Sequence, residues 1–184
     1  MGGVFAANMT GNTVLAGIAA AEGRFPDALR HISTLVAFFL GAMLARALLR
    51  LWRRQSLPIL LEAAIVASVA LVPMERETAV LVLAFGMGIQ ASAVTHFAGA
   101  AISTVVVTST LARTADGAVD ALWPKRAAPA SGSGLSARLA LTWAGYLVGA
   151  VVGVLLLKSF AWPLLAAAAL LLVLVPLLPA AWEG

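Results

Sequence analysis

The sequence contains no cysteine, one tyrosine, two histidines and few charges, with 12 basic and 8 acidic residues in 184. Without cysteine there is no disulfide framework, no thiol nucleophile and no thiolate metal site. Two histidines far apart complete no transition-metal centre either, and no residue pattern asks for a cofactor. Charged residues make up 11% of the chain, whereas a soluble domain carries about 25% to keep its surface wet. This scarcity excludes a cytosolic enzyme, a secreted scaffold and a disordered tail. What is present instead is apolar: 62% of residues are hydrophobic and the mean hydropathy is +1.00, in long runs separated by short charged patches. That is the pattern of a polytopic membrane protein. The isoelectric point near 10.7 does not indicate nucleic acid, because the basic residues are few and lie between apolar runs. They read as topology signals and as contacts to membrane lipid.

The first apolar segment is interrupted by Asn8, Thr10, Asn12 and Thr13 and lacks the cationic start of a signal peptide. It reads as an extended stretch over residues 2–9 leading into a short helix over about 13–21. Residues 32–49 and 57–72 form two plainer spans, the first ended by Arg46, Arg50, Arg53 and Arg54 and the second by Pro73. Residues 78–111 are too long for one regular span, since ~20 helical residues cross the hydrocarbon core. A break is expected at Gly99, followed by an extended β-branched run over 103–108 and a helix restarting near Ser109. Residues 124–134 read as a polar linker, and 139–157 and 162–178 as the last spans. With the arginine cluster placed in the cytoplasm, alternate crossing puts eight Lys/Arg inside and four (Arg24, Arg30, Arg76, Lys158) outside.

Three matches recur in the same order along the chain. Thr10-Gly11-Asn12-Thr13-Val14-Leu15-Ala16 has a counterpart in Thr108-Ser109-Thr110-Leu111-Ala112. Phe38-x-x-Gly41-Ala42 is echoed by Tyr146-x-x-Gly149-Ala150, and Leu60-Leu61 before Pro73 by Leu164-Leu165 before Pro176. The expected fold is therefore an all-α membrane protein of about six spans in one transmembrane domain, 1–184. Repeat one covers 1–73 and repeat two covers 78–180, with the linker inside the second. Three crossings per repeat force the second to be inverted relative to the first. Inverted repeats with interrupted first and fourth helices are an architecture of secondary transporters.

The blocks Phe5-Ala6-Ala7-Asn8-Met9-Thr10-Gly11-Asn12-Thr13-Val14, Gly86-Met87-Gly88-Ile89-Gln90 and Ser103-Thr104-Val105-Val106-Val107-Thr108-Ser109-Thr110-Leu111 resemble the YoaK-like family of bacterial integral membrane proteins, a domain of unknown function. The resemblance covers essentially the whole chain and implies a six-span architecture without naming a substrate. Three departures stand out: Ser109 where the family usually has glycine, Gln90-Ala91 where it often has Gln-Asn, and Met1 after a half-helix that usually precedes the Phe5 block. The expected first repeat is therefore incomplete, truncated at its N-terminus.

Function must come from polar groups held at depth. A helix that starts inside a membrane leaves N–H groups without intrahelical partners and carries a partial positive charge. Such starts bind anions or carbonyls when they are not capped internally. Asn8, Thr10, Gly11, Asn12, Gln90, Thr104, Thr108, Ser109 and Thr110 are the candidate solute-binding residues, two helix starts meeting near the midplane. Equally, their hydroxyls and amides would satisfy backbone groups freed by the breaks. Glu62, the one acid in a clear span, and His96 are candidates for carrying a coupling proton. Glu62 can also snorkel to the cytoplasmic face or pair with Arg50, and His31, beside Arg30, reads as solvated. Gly86-x-Gly88 lacks the βαβ setting of a dinucleotide site and reads as helix packing. Gly41, Gly145, Gly149 and Gly153 form packing surfaces, the last three facing either an intramolecular helix or a second protomer, so homo-oligomerisation stays open. The reading is a multi-pass protein of the bacterial inner membrane, not an enzyme, that transports a small polar or anionic solute. The alternative is a non-transporting membrane scaffold or sensor.

Overall fold

A computed structural model describes residues 3–54, 56–93, 96–97, 100–101 and 133–177. The described residues are helical: α1 (Met9–Ala21), α2 (Phe25–Trp52), α3 (Ser56–Leu71), α4 (Arg76–Ala93), α5 (Ser133–Ser159) and α6 (Pro163–Leu174). A 3-10 turn, Val175–Leu177, follows α6. One minimal β pair, β1 (His96–Phe97) with β2 (Ala100–Ala101), sets His96 opposite Ala101 and Phe97 opposite Ala100. The chain divides into two compact units, Met1–Ala93 with Trp162–Gly184, and Val94–Ala161.

The helix ends follow local chemistry. α1 begins at Met9, four residues before the expected start at Thr13, because Asn8 caps it: its Oδ1 accepts from Gly11 N–H at 2.9 Å. α1 ends in a Schellman turn. Gly23 takes φ +72° and donates to the Ala20 carbonyl, and Arg24 N–H reaches back to Ala19. Pro26 then lies in the first turn of α2, where its missing N–H costs nothing. α2 closes on Arg53 in the left-handed region at φ 53°. The expected break at Gly99 comes earlier: α4 is described to Ala93 and β1 begins at His96. α5 starts at Ser133, two residues inside the expected linker. The expected extended run over 103–108 lies outside the described residues.

In the first unit α2 is central, packed along α4 and against α1, while α3 packs on α4 and α6. Many of the buried positions are small, Ala16 and Ala19 of α1, Ala28 and Ala45 of α2, Ala63 of α3, Ala84 and Ala93 of α4, and they sit beside Leu49, Ile59, Val66 and Ile89. The closest approach is between α2 and α4. A Cβ built on Gly41 would overlap the carbonyl oxygen of Phe85, and one built on Gly88 would overlap that of Phe38. Backbone touches backbone there, which only glycine permits. Arg30 of α2 pairs with Glu77 of α4 at 2.8 Å. Arg30 precedes Gly41 by 11 residues and Glu77 precedes Gly88 by 11, so the two helices run parallel and in register. The ion pair is exposed at both ends and contributes at most about 1 kcal/mol, so packing rather than charge holds the pair.

The exterior is as apolar as the interior is small. On α2, Val36, Phe39, Leu40 and Met43 are exposed, Phe39 to 63%. On α5, Leu147, Val148, Val151, Val154 and Leu155 are likewise exposed. One helix among the described residues, α2 with 28 residues, is long and apolar enough to cross a membrane. At 1.5 Å per residue it spans ~42 Å, more than the ~30 Å hydrocarbon core.

Candidate functional site

The Thr-Gly-Asn block is a folded knot around Asn12, which is fully buried. Its Nδ2 donates to the Phe5 carbonyl at 2.6 Å, and its Oδ1 accepts from Phe5 N–H at 3.1 Å. One carboxamide thus replaces a strand partner for Phe5 and ties the extended segment before α1 onto the helix. Gly11 leaves room beside it, since a Cβ there would lie 2.9 Å from Asn8 Nδ2 and shift the capping amide. Thr10 and Thr13 are exposed, and Thr13 Oγ1 donates to the Met9 carbonyl at 2.9 Å. Asn8 and Asn12, candidate solute contacts by sequence, both engage the chain's own backbone. Thr104, Thr108, Ser109 and Thr110, their expected partners, lie outside the described residues.

His31 corrects the sequence reading. It is 3% exposed rather than solvated, because α1 packs over that face of α2. Its Nδ1 lies 3.3 Å from Asn12 Oδ1. That oxygen already accepts from Phe5 N–H while Nδ2 serves the Phe5 carbonyl, so only one orientation of the amide satisfies both. Facing an acceptor, Nδ1 is the ring nitrogen that donates to it, which leaves Nε2 as the ring's other nitrogen. Thr34, one turn on and also buried, donates through Oγ1 to the Arg30 carbonyl at 2.9 Å.

His31 and Thr34 line a cavity of about 800 Å³ with Gly3, Val4, Asp27 and Arg30, and with Arg76, Glu77, Val80 and Leu81 of α4. Asp27, Arg30, His31 and Thr34 fall at i, i+3, i+4 and i+7 of α2, opposite one face of α4, with Pro26, Leu29 and Ser33 beside them. Charges gather at the first turns of both helices and polar groups lie one to two turns deeper. Arg24 pairs with Glu22 and Asp27, each at 2.6 Å, and Arg30 also reaches Asp27 at 3.4 Å. Hydrogen bonds to Glu22 and Asp27 raise the Arg24 guanidinium. Among the described residues Arg76 forms no ion pair. Sequence reasoning missed this site. Arg30, His31 and Thr34 share the i, i+1, i+4 spacing of one face, but only packing shows that the face is buried.

The remaining candidates are dispersed. Glu62 is 2% exposed on α3 and neither snorkels nor reaches Arg50; its Oε2 has no hydrogen-bond partner among the described residues. α3 packs on both α4 and α6, which encloses the carboxyl before it can reach an aqueous face. Gln90 is half-buried on α4. His96 is the first residue of β1. Gly86 abuts Ile65 of α3, a Cβ there lying 3.3 Å from Ile65 Cγ2. On α5, a Cβ at Gly145, Gly149 or Gly153 meets nothing within 4 Å inside its own unit. Among the described residues no group of three or more His, Asp or Glu could hold a metal ion.

A family model described as "Protein of unknown function (DUF1275)" matches residues 1–177. The chain belongs to the DUF1275 family. That model covers both polar blocks and every helix described above, so the Asn12 knot and the Gly41–Gly88 crossing fall within the family's region. No characterised protein and no solved structure matches the chain.

Proposed function

We propose that this DUF1275 chain is a multi-pass protein of the bacterial inner membrane that carries a small polar or anionic solute, in keeping with its resemblance to the YoaK-like proteins. The observation that carries the reading is its inside-out polarity. Large apolar side chains point outward along α2 and α5, while Asn12, His31, Thr34 and Glu62 are buried. Water would not solvate that exterior, and a bilayer would. In lipid, buried polar groups mark solute and ion pathways, and here two of them line a cavity. The parallel register of α2 and α4 agrees with crossings that alternate through α3, as the six-span inverted repeat requires. The Asn12–His31 contact lies six residues into α2, ~9 Å below its start, on the way to the midplane. Glu62 would carry the coupling proton.

A scaffold or sensor is the second reading, favoured by one observation: the amides of Asn8 and Asn12 are engaged by backbone. Reconstitution decides between them. Purified full-length protein is screened against metabolites by thermal shift, since a ligand of the native state raises its stability by mass action. Hits are then tested for flux into proteoliposomes. Saturable flux of a stabilising solute supports the transporter, and stabilisation without flux supports the sensor.

A further inference from the structure

We propose that the cavity between the first turns of α2 and α4 binds a small monocarboxylate that also carries a hydrogen-bond donor, a hydroxyl or an ammonium group. Arg76 receives the carboxylate and His31 Nε2 accepts from the donor. The inference deepens the transport reading by naming the class of solute at the cavity, and it rests on that reading only for the use made of binding.

The lining chemistry selects this class. Four charged residues line the cavity, Asp27, Arg30, Arg76 and Glu77, and they sum to zero. Arg30 is engaged by Glu77 at 2.8 Å and by Asp27 at 3.4 Å. Asp27 is further held by Arg24 at 2.6 Å. Among the described residues this leaves Arg76 as the one lining cation without an ion pair, which matches a single negative charge. A dianion such as phosphate would bring its second charge against Asp27 and Glu77 with no cation to meet it. The guanidinium fork suits a planar carboxylate, bidentate.

The donor requirement comes from His31. Its Nδ1 proton is committed to Asn12 Oδ1 by the amide orientation that Phe5 imposes. With Nδ1 so engaged, Nε2 is the ring nitrogen left to the cavity that His31 lines. An acceptor held in a cavity rewards a ligand that fills it and penalises one that does not. Register fixes the difference in depth. With Arg30 beside Glu77, His31 and Arg76 differ in depth by two residues, ~3 Å along parallel axes. Both groups of a small molecule therefore meet partners at nearly one depth. Val4, Pro26, Leu29, Val80 and Leu81 supply the apolar wall for its carbon atoms.

The test is titration calorimetry of the purified full-length protein with L-lactate, L-alanine, propionate and inorganic phosphate. Lactate or alanine should bind, propionate, which lacks the donor, at least tenfold more weakly, and phosphate more weakly still. Arg76→Gln, on an exposed residue, should lose at least tenfold in affinity for the bound probe with an unchanged melting temperature. ¹⁵N-histidine spectra, with His96→Gln to assign the two signals, should show His31 protonated at Nδ1 and its Nε2 resonance moving on saturation. Failure of both lactate and alanine to bind, tighter binding of phosphate or propionate, full affinity in Arg76→Gln, or a proton on Nε2 in the free protein would each overturn the proposal. Binding without flux in proteoliposomes leaves the site standing and removes the transporter. Flux of some other solute with no binding of these probes does the reverse.

Discussion

Gly41 and Gly88 are reciprocal: each lies where a side chain would run into the backbone of the other's helix, three residues after a phenylalanine whose carbonyl oxygen faces the other glycine. Cβ atoms at these positions would also lie 3.2 Å from Ile89 N and 3.0 Å from Ala42 N. Nothing flexible is available to yield. Gly41→Ala and Gly88→Ala should therefore each lower stability by about 1–3 kcal/mol or more, read as a melting shift in detergent. Gly149→Ala is the control. With nothing within 4 Å inside its own unit, a comparable loss there would report a partner from beyond that unit.

Asn12→Leu removes the partners of Phe5 N–H, the Phe5 carbonyl and His31 Nδ1 at once. His31 Nδ1, left unpaired in a buried ring, costs about 1–3 kcal/mol, and the part-buried Phe5 groups fall back on water, so the variant should unfold before the parent. Asn12→Asp keeps the acceptor for Phe5 N–H but turns a second oxygen toward the Phe5 carbonyl, and should also be destabilised. Denaturant midpoints measure both. Parent-like stability in either variant would show that the clamp contributes little.

Glu62→Gln preserves shape while removing the only group on α3 able to take a proton. If Glu62 couples solute movement to a proton, the variant should fold at least as well as the parent and lose uptake driven by a pH gradient. Counterflow exchange, which needs no gradient, should persist. Gradient-driven uptake at the parental rate would remove Glu62 from coupling.

Crossing direction is testable because the chain lacks cysteine. Single cysteines at Thr78, near the start of α4, and at Arg54, just past the end of α2, should be labelled by a membrane-impermeant maleimide from opposite sides of cells. Labelling of both from one side would contradict α2 and α4 as parallel crossings.

Much of the fold was legible wherever a long apolar run meets a clear stop. α2, α3 and α6 follow from hydropathy, proline and arginine, because those signals act within a few residues. The start of α1 was not. Asn8, Thr10, Asn12 and Thr13 can all cap a helix, and the choice falls to Asn8 because Gly11 leaves room for its amide while Asn12 is drawn away to Phe5, seven residues back. His31 was missed for a related reason. A histidine beside an arginine at a helix start reads as wet until α1 covers it, and no periodicity announces that cover. The cavity joins residues more than 40 positions apart, from Arg30 to Arg76, a distance that only the α2–α4 register brings to one place.

That register also restricts how the protein can work. Two helices that interlock backbone to backbone at one level and are bridged by an ion pair 11 residues away cannot slide, swivel or part without losing both contacts. α2 and α4 therefore behave as one beam. If a solute passes by alternating access, the beam is the fixed post, and the part least tied to it is the extended segment that Asn12 fastens at Phe5. Variants that loosen the beam should then stall the cycle by blurring its reference frame, whereas variants that free the fastening should change which side the cavity faces.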